Sequence, residues 1–262
     1  LEESLRRKML IAITREVSPA INECELTNLE REPIHYERAC EQHKQYVAAL
    51  RSLGLEVQTL PADSNLPDSV FVEDTALVLD ECAVITRPGA DSRKAEVDSI
   101  VKVLTPYRKL FQIKAPARVD GGDILRVGKK IYVGLSTRSD NSAVGQMQEY
   151  LRPYGYEVKG ITITGCLHLK SAVTQVAEDT LLINPEWVDG TLFSEMKFIE
   201  IDPSEPYAAN VVMIGETIIY PTAFPKTQKR LEAAGIRMVT VDADELAKAE
   251  GAVTCCSLIF NG

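Results

Sequence analysis

The sequence predicts an α/β protein closed into a ring of five similar units, and three observations predict it. First, the segments ALVLDECAVITRP (76–88), ILRVGKKIYVGLS (124–136), VTQVAEDTLLINP (173–185) and VVMIGETIIYPTA (211–223) share one shape. Each has a short apolar run, a polar or glycine turn and a second apolar run, which is the pattern of a β-hairpin. Their turns fall at Asp80, Gly128, Glu178 and Gly215, at intervals of roughly 40–50 residues, a range that signals internal repetition. Second, helical periodicity fills several of the gaps. Third, residues 255–260 read as a single strand with nothing after it, and residues 9–13, an apolar run at the other end of the chain, are its expected partner. Joining the two ends leaves no open sheet edge. The alternative is an ordinary α/β sandwich whose hairpins are alike by chance.

The elements follow in order. Residues 33–53 form the longest predicted helix, with Ala39, His43, Tyr46, Val47 and Leu50 on one side and Gly54 at its end. Residues 55–60 are a strand. After the first hairpin, Asp91-Ser92 is read as the cap of a helix carrying Val97, Ile100, Val101 and Leu104 at helical spacing. Residues 107–113 are a strand. After the second hairpin, Asn141-Ser142 starts a helix with Val144, Met147, Tyr150 and Leu151, and residues 157–163 are a strand. Residues 198–201 precede the fourth hairpin. Residues 226–234 form a helix stopped at Gly235, and Arg237–Val241 is the next strand. The unit therefore reads as strand, hairpin, helix.

The 262 residues suffice for one large core, and residues 1–262 are taken as one domain. A formal charge of −9 argues against nucleic acid, which needs a basic footprint. No apolar stretch reaches the ~20 residues that span a bilayer. The start, LEESLRRKMLIAIT, lacks the order of a signal peptide; Met9 is the expected native start, with residues 1–8 an added or disordered lead. The cysteines are Cys24, Cys40, Cys82, Cys166, Cys255 and Cys256. A long chain without an export signal points to reduced thiols and the cytoplasm. Cys255 and Cys256 are not expected to bridge each other, because neighbours on an extended strand face opposite ways. Zinc-ligand spacing is lacking.

Polar residues recur at one place in the repeat. Glu73-Asp74 precedes the first hairpin, Asp120-Gly121-Gly122-Asp123 the second, His168 the third and Asn210 the fourth, while Cys255 stands at the fifth position. Rotation would gather them at one end of the ring axis. Taken singly, each has a plain reading. His168 between two leucines reads as a core histidine, and so does His43 on its helix face; His35 reads as a surface residue. A lone Cys255 or Cys256 reads as a small buried hydrophobe, and the Asp-Gly-Gly-Asp run as a turn. Glu73-Asp74 is harder to dismiss, because two carboxylates entering a buried strand are costly unless a cation or donors meet them.

A cysteine nucleophile needs its thiolate, and a free thiol titrates near about 8.5. Nearby carboxylates raise that value. A cationic substrate resolves the conflict: a guanidinium held bidentately by carboxylates brings positive charge to the sulfur and offers an electrophilic carbon. His168 would protonate the departing amine and then activate water, oriented by one carboxylate.

The segments LPDSVFVEDTALV (66–78), ITRPGADSRKAE (85–96), DGGDI (120–124), VGLSTR (133–138), LHLKS (167–171), YAAN (207–210) and TCCSLIF (254–260) resemble the dimethylarginine dimethylaminohydrolases of the pentein, or guanidino-group-modifying, superfamily. The resemblance runs from Ile11 to Phe260. It implies the pentein fold, a five-fold pseudosymmetric α/β propeller of ββαβ units around a central polar site. It implies hydrolysis of Nω-methylated arginine to citrulline and a methylamine, a step in arginine metabolism, with no required cofactor. It assigns Cys255 as nucleophile, His168 as general acid/base and Asp120 as its orienting acid. Asp68 and Asp74 match the carboxylates near the guanidinium, and Glu73 and Phe71 other pocket residues. Arg93 and Arg138 match the α-carboxylate ligands, and Leu26 a leucine on a mobile loop over the site. The Ala249 carbonyl and the Glu250 side chain match the α-amino contacts. Glu250 departs from the family's usual Asp. Adventitious Zn²⁺ on Cys255 and His168 would inhibit. A small guanidino compound is the expected partner, and a homodimer the expected assembly. An arginine-deiminase-like hydrolase and a non-enzymatic ring-shaped binding module are the rival readings.

Overall fold

The computed structural model describes residues 9–262, so the reading of residues 1–8 lies outside the described residues. The described residues form five three-stranded sheets of one pattern. In each, a central strand pairs antiparallel on one side and parallel on the other. The first to close in sequence has β1 (Leu10–Arg15) at its centre and β2 (Glu56–Leu60) parallel to it, joined by α1 (Tyr36–Ser52). The second holds β3 (Ala76–Val78), β4 (Cys82–Ile85), α2 (Val97–Leu104) and β5 (Lys109–Gln112). The third holds β6 (Ile124–Val127), β7 (Lys130–Leu135), α3 (Asn141–Leu151) and β8 (Glu157–Thr162). The fourth follows α4 (Leu169–Ala172) with β9 (Val173–Ala177), β10 (Thr180–Ile183) and β11 (Lys197–Glu200). The fifth holds β12 (Val212–Ile214), β13 (Thr217–Pro221), α5 (Pro225–Ala233) and β14 (Arg237–Val241). After α6 (Asp244–Ala247), β15 (Leu258–Asn261) returns to pair antiparallel with β1, Leu10 opposite Asn261 and Ile13 opposite Leu258. The two ends of the chain thus complete one sheet, as the sequence predicts.

Two expectations need correction. The strand after each helix pairs with the hairpin before it, so the unit is hairpin, helix, strand rather than strand, hairpin, helix. Parallel pairing requires a crossover between the two strands, and the helix is that crossover. The helix after the first hairpin is not capped by Asp91-Ser92: a 3₁₀ turn (Asp91–Glu96) intervenes, and Asp91 pairs with Lys94 instead. The next helix begins at Asn141, as the sequence predicts, and is capped by Asp140, whose side chain accepts from the Ala143 N–H at 3.0 Å.

Five hydrophobic clusters fill the structure, one between each neighbouring pair of sheets. Ile11 and Ile13 of β1 pack with β3, β4 and α2, while Ala12 packs with α1 and the fifth sheet. Leu181 and Ile183 of β10 face the third sheet, and Leu182 faces the fifth. Side chains alternate across a strand, so a central strand covered on both faces must be apolar throughout. That is why the second half of each hairpin reads as an unbroken apolar run. The ring's inner wall is made by β3, β6, β9, β12 and β15, which together enclose a cavity of about 280 Å³. Among the described residues no helix is long and apolar enough to cross a membrane, and all six cysteines are free thiols.

Candidate active site

The recurring polar positions do converge at one end of the inner wall. His168 lies just before α4 in extended backbone. Its Nε2 is 3.0 Å from Asp120 Oδ2, and its Nδ1 is 4.0 Å from Asp74 Oδ1. Asp120 is itself fixed: the Gly89 N–H donates to Oδ1 at 2.8 Å, and its own N–H donates to Ser139 Oγ at 3.1 Å. The Gly122 N–H donates to Asp74 Oδ1 at 2.8 Å. A side chain at position 122 would put its Cβ 2.6 Å from His168 Nδ1, so the Asp-Gly-Gly-Asp run lets backbone pass directly beneath the imidazole.

Cys255 is carried by a 3₁₀ turn (Thr254–Cys256) that is clamped from below. Asn210 Oδ1 accepts the Thr254 N–H at 3.0 Å and Asn210 Nδ2 donates to Thr254 Oγ1 at 2.9 Å. Thr254 Oγ1 donates to Glu73 Oε2 at 2.7 Å, and Lys170 Nζ donates to Glu73 Oε1 at 2.6 Å. The Ala252 N–H points at Cys255 Sγ at 3.4 Å.

Burial pushes the Cys255 thiol well above its ordinary range, and Glu73, Asp74 and the neighbouring Cys256 push it further. Cys256 is likewise pushed up to about 12 by burial and Glu73. Burial works against a charged His168, but Asp74, Asp120 and Asp123 outweigh it and lift the imidazole to about 9. Burial alone would raise Asp74; His168, Arg93 and the Gly122 N–H reverse the sign and bring it to about 2. Burial raises Asp68, against Arg93 and the Glu25 N–H. The carboxylates thus favour the neutral thiol of Cys255 and the charged imidazole of His168, which line the same cavity.

Cys255, His168, Asp68, Phe71, Asp74, Arg93, Arg138, Ala249 and Glu250 line one cavity of about 10 Å³. Asp120 stands behind His168. Two expected pocket residues are not on this wall. Leu26 is half-buried against the cluster between the first and fifth sheets. Glu73 faces the other way, into the central cavity, and acts on Cys255 through Thr254. Glu25, Leu167 and Gly251 also line the site and were missed. Gly251 has a physical signature: a Cβ there would lie 2.2 Å from the Phe71 ring. Asp123 was read as part of a turn. It accepts from Ser136 Oγ, Ser139 Oγ and the Leu169 N–H at 2.7, 2.6 and 2.9 Å, which fixes the backbone next to His168.

The two arginines differ. Arg93 is buried and committed: Nε and Nη2 donate to Glu96 at 3.0 and 2.9 Å, and Nη1 donates to Asp74 at 2.7 Å. Arg138 is also buried, but its Nη1 has no hydrogen-bond partner among the described residues. Its Nη2 donates to Thr27 Oγ1 at 2.9 Å. Glu250, at φ 57°, turns its carboxylate to the same loop, where Oε2 accepts from Thr27 N–H and Oε1 from Asn28 and Leu29 N–H.

The metal-capable cluster among the described residues is Asp74, Asp120 and His168, whose ligand atoms lie within 4.8 Å of one another. It contains the histidine of the expected zinc pair but not Cys255. Two carboxylates and an imidazole suit a divalent cation, yet all three are already hydrogen-bonded to parts of the protein.

The chain is similar to known proteins of one family. The family described as N,N dimethylarginine dimethylhydrolase, eukaryotic, matches residues 11–260. The N(G),N(G)-dimethylarginine dimethylaminohydrolase of Pseudomonas aeruginosa is 37% identical over 227 residues, covering 86% of this chain and 89% of its own. That of Streptomyces coelicolor is 36% identical over 249 residues, covering 94% and 95%. A solved structure of the Pseudomonas aeruginosa protein, a cysteine-to-serine variant complexed with citrulline, superposes with a TM-score of 0.92 at 34% identity, over 96% of this chain and all of that one.

Proposed function

We propose a function from one premise: the chain belongs to the dimethylarginine dimethylaminohydrolase family. It hydrolyses Nω-methylated L-arginine to L-citrulline and a methylamine through a cysteine nucleophile. The observation that carries the assignment of residues is the single cavity that holds Cys255, His168, Asp68 and Asp74 together.

In this reading Asp68 and Asp74 receive the guanidinium, whose planar donors match carboxylate oxygens. The arriving cation offsets the carboxylates that hold the Cys255 thiol high, so the thiol loses its proton to solvent when substrate binds. The thiolate attacks the guanidinium carbon and a C–S bond forms. His168, an imidazolium below about 9, gives its proton to the leaving nitrogen, and the C–N bond breaks. The neutral imidazole then takes a proton from water, which attacks the same carbon; the C–S bond breaks, and the remaining hydroxyl proton goes to the departing sulfur as citrulline forms and the thiol is restored. Asp120 orients the ring throughout. Arg138 receives the α-carboxylate, joined by Arg93 if it exchanges a donor from Glu96. The Ala249 carbonyl and Glu250 receive the α-amino group, with Phe71, Leu26 and Glu73 shaping and supporting the pocket. A metal on Asp74, Asp120 and His168, or Zn²⁺ on Cys255 and His168, would remove the acid and inhibit. The net charge of −9 supports a protein without nucleic-acid affinity, and the free thiols support a cytoplasmic one. Light scattering tests the expected homodimer.

A citrulline assay over arginine, Nω-methylarginine and asymmetric dimethylarginine tests the activity. The methylated substrates should be turned over faster than arginine; the reverse order would favour a deiminase. Cys255→Ser should cut turnover by at least about 10⁴-fold while the fold survives. Rapid-quench mass spectrometry should show the substrate carbon on the Cys255 peptide, and its absence with activity intact would remove the covalent route.

A further inference from the structure

The two groups that the proposed reading gives to the substrate's amino-acid head are held, in this structure, by the loop above them. Glu250 accepts from three backbone N–H donors, Thr27 at 2.8 Å, Asn28 at 2.5 Å and Leu29 at 2.8 Å. An α-ammonium also offers three N–H donors. Arg138 Nη2 donates to Thr27 Oγ1 at 2.9 Å, where an α-carboxylate oxygen would accept. The loop is rooted on both sides of this segment. The Glu25 N–H donates to Asp68 Oδ2 at 3.1 Å, and Arg31 Nη2 donates to the Cys24 carbonyl at 2.6 Å. Between those roots, residues 27–29 reach across 223 positions of sequence to Glu250. The cavity beneath is only about 10 Å³, close to the size of one water.

We propose that residues 27–29 act as an internal stand-in for the amino-acid head of the substrate, and that Glu250 and Arg138 are exchanged from loop to substrate when the site fills. The proposal rests on the reading of the site as a methylarginine hydrolase and adds a rule of selection to it. The α-ammonium replaces the three amides on Glu250, and the α-carboxylate replaces the Thr27 hydroxyl on Arg138. A guanidine lacking either charge leaves half of the latch fastened. The protein therefore selects for the full zwitterion twice, once by binding it and once by requiring it for release. Glu250 is also the described non-glycine residue with a positive φ, which aims its side chain at the loop. The methylene by which it exceeds Asp extends its reach toward those amides.

Because closed loop and substrate compete for the same two groups, the apparent affinity is reduced by the fraction of molecules that are latched. Variants on the loop side, which leave Glu250 and Arg138 intact, separate this from direct contact. Thr27→Val removes the hydroxyl acceptor, and Asn28→Pro removes one N–H. Each should lower KM for Nω-methyl-L-arginine by about three- to tenfold. Each should also speed alkylation of Cys255 by iodoacetamide in the absence of substrate by a similar factor. Hydrogen exchange should show the amides of Thr27, Asn28 and Leu29 slowed in the wild type and fast in Glu250→Ala. Should Asn28→Pro fail to fold, Thr27→Val carries the kinetic arm and exchange the structural one. A KM that rises in the loop variants, or wild-type amides that exchange freely, overturns the latch. Slow amides together with no turnover of any methylated arginine would instead overturn the functional reading and leave the latch standing.

Discussion

His43 and His168 are equally buried, each 5% exposed, and the protein treats them in opposite ways. His43 lies on the inner face of α1, near Tyr46, Val241 and Leu246, and its Nε2 has no hydrogen-bond partner among the described residues. Burial drives it down to about 4 against a weaker pull from Glu16. His168 meets the same desolvation but faces Asp74, Asp120 and Asp123, which carry it up to about 9. Burial by itself makes a histidine neutral and inert. What makes one an acid is the set of carboxylates brought to it, and here they come from the second and third sheets to a loop of the fourth. The plain sequence reading, a core histidine, describes the burial of both, but only His168 is met by carboxylates.

The comparison is broken most severely by removing each imidazole. His168→Ala should lower kcat for citrulline formation by at least about 10³-fold and prolong the Cys255 adduct. His43→Leu should leave kcat within about twofold of wild type, since it touches neither the cavity nor the Asp74–His168–Asp120 array. Equal losses in the two variants would erase the distinction.

A smaller change makes His168 more like His43. Asp120→Asn keeps the shape and removes one carboxylate. It should lower kcat by about 10²-fold and move the alkaline limb of the pH–rate profile to lower pH. The imidazole signal of His168 in an NMR titration should move the same way. An unmoved limb would mean that Asp120 is not what holds the proton on the ring.

Stability should record the contrast at opposite ends of the pH scale. His168 binds its proton more tightly folded than unfolded, so its contribution is complete below about 6.5 and is lost as pH rises toward about 9. His43 resists its proton when folded, so stability is lost as pH falls from about 6.5 toward about 4. Asp74 adds a contribution present above its unfolded value and lost as pH falls through about 2. Urea unfolding of wild type and His43→Leu should therefore diverge on the acid side, by about 3 kcal/mol between pH 7 and pH 4. The least expected effect is at pH 7. There His43→Leu removes a buried polar atom without a partner and should raise stability by about 1 kcal/mol, a few degrees in Tm.

Much of the fold was legible because its signals are local. A two-residue side-chain period, a polar or glycine turn and the apolar runs of the central strands follow from backbone geometry within ten or so residues. They predicted Gly128 and Gly215 at tight turns, where both have positive φ, and Gly54 and Gly235 at helix ends. The grouping of each third strand was misread because parallel pairing leaves no local mark. At the site, Cys255, His168, Asp74 and Asp120 were found through their place in the repeat and their motifs. Lys170 and Thr254 were missed and Asp123 was given no role, because a residue that hydrogen-bonds another site residue looks like any polar residue of a turn.

The sequence alone determined the repeat, the closure of the ring by its two ends and the residue types that meet at one end of it. All three follow from patterns written along the chain. Only the tertiary structure decided which carboxylates face His168, the direction in which Glu73 faces and the partners that Glu250 and Arg138 hold. Those depend on distances between residues tens to hundreds of positions apart. Electrostatic and hydrogen-bond energies are set by separation in space, which the order of residues does not state.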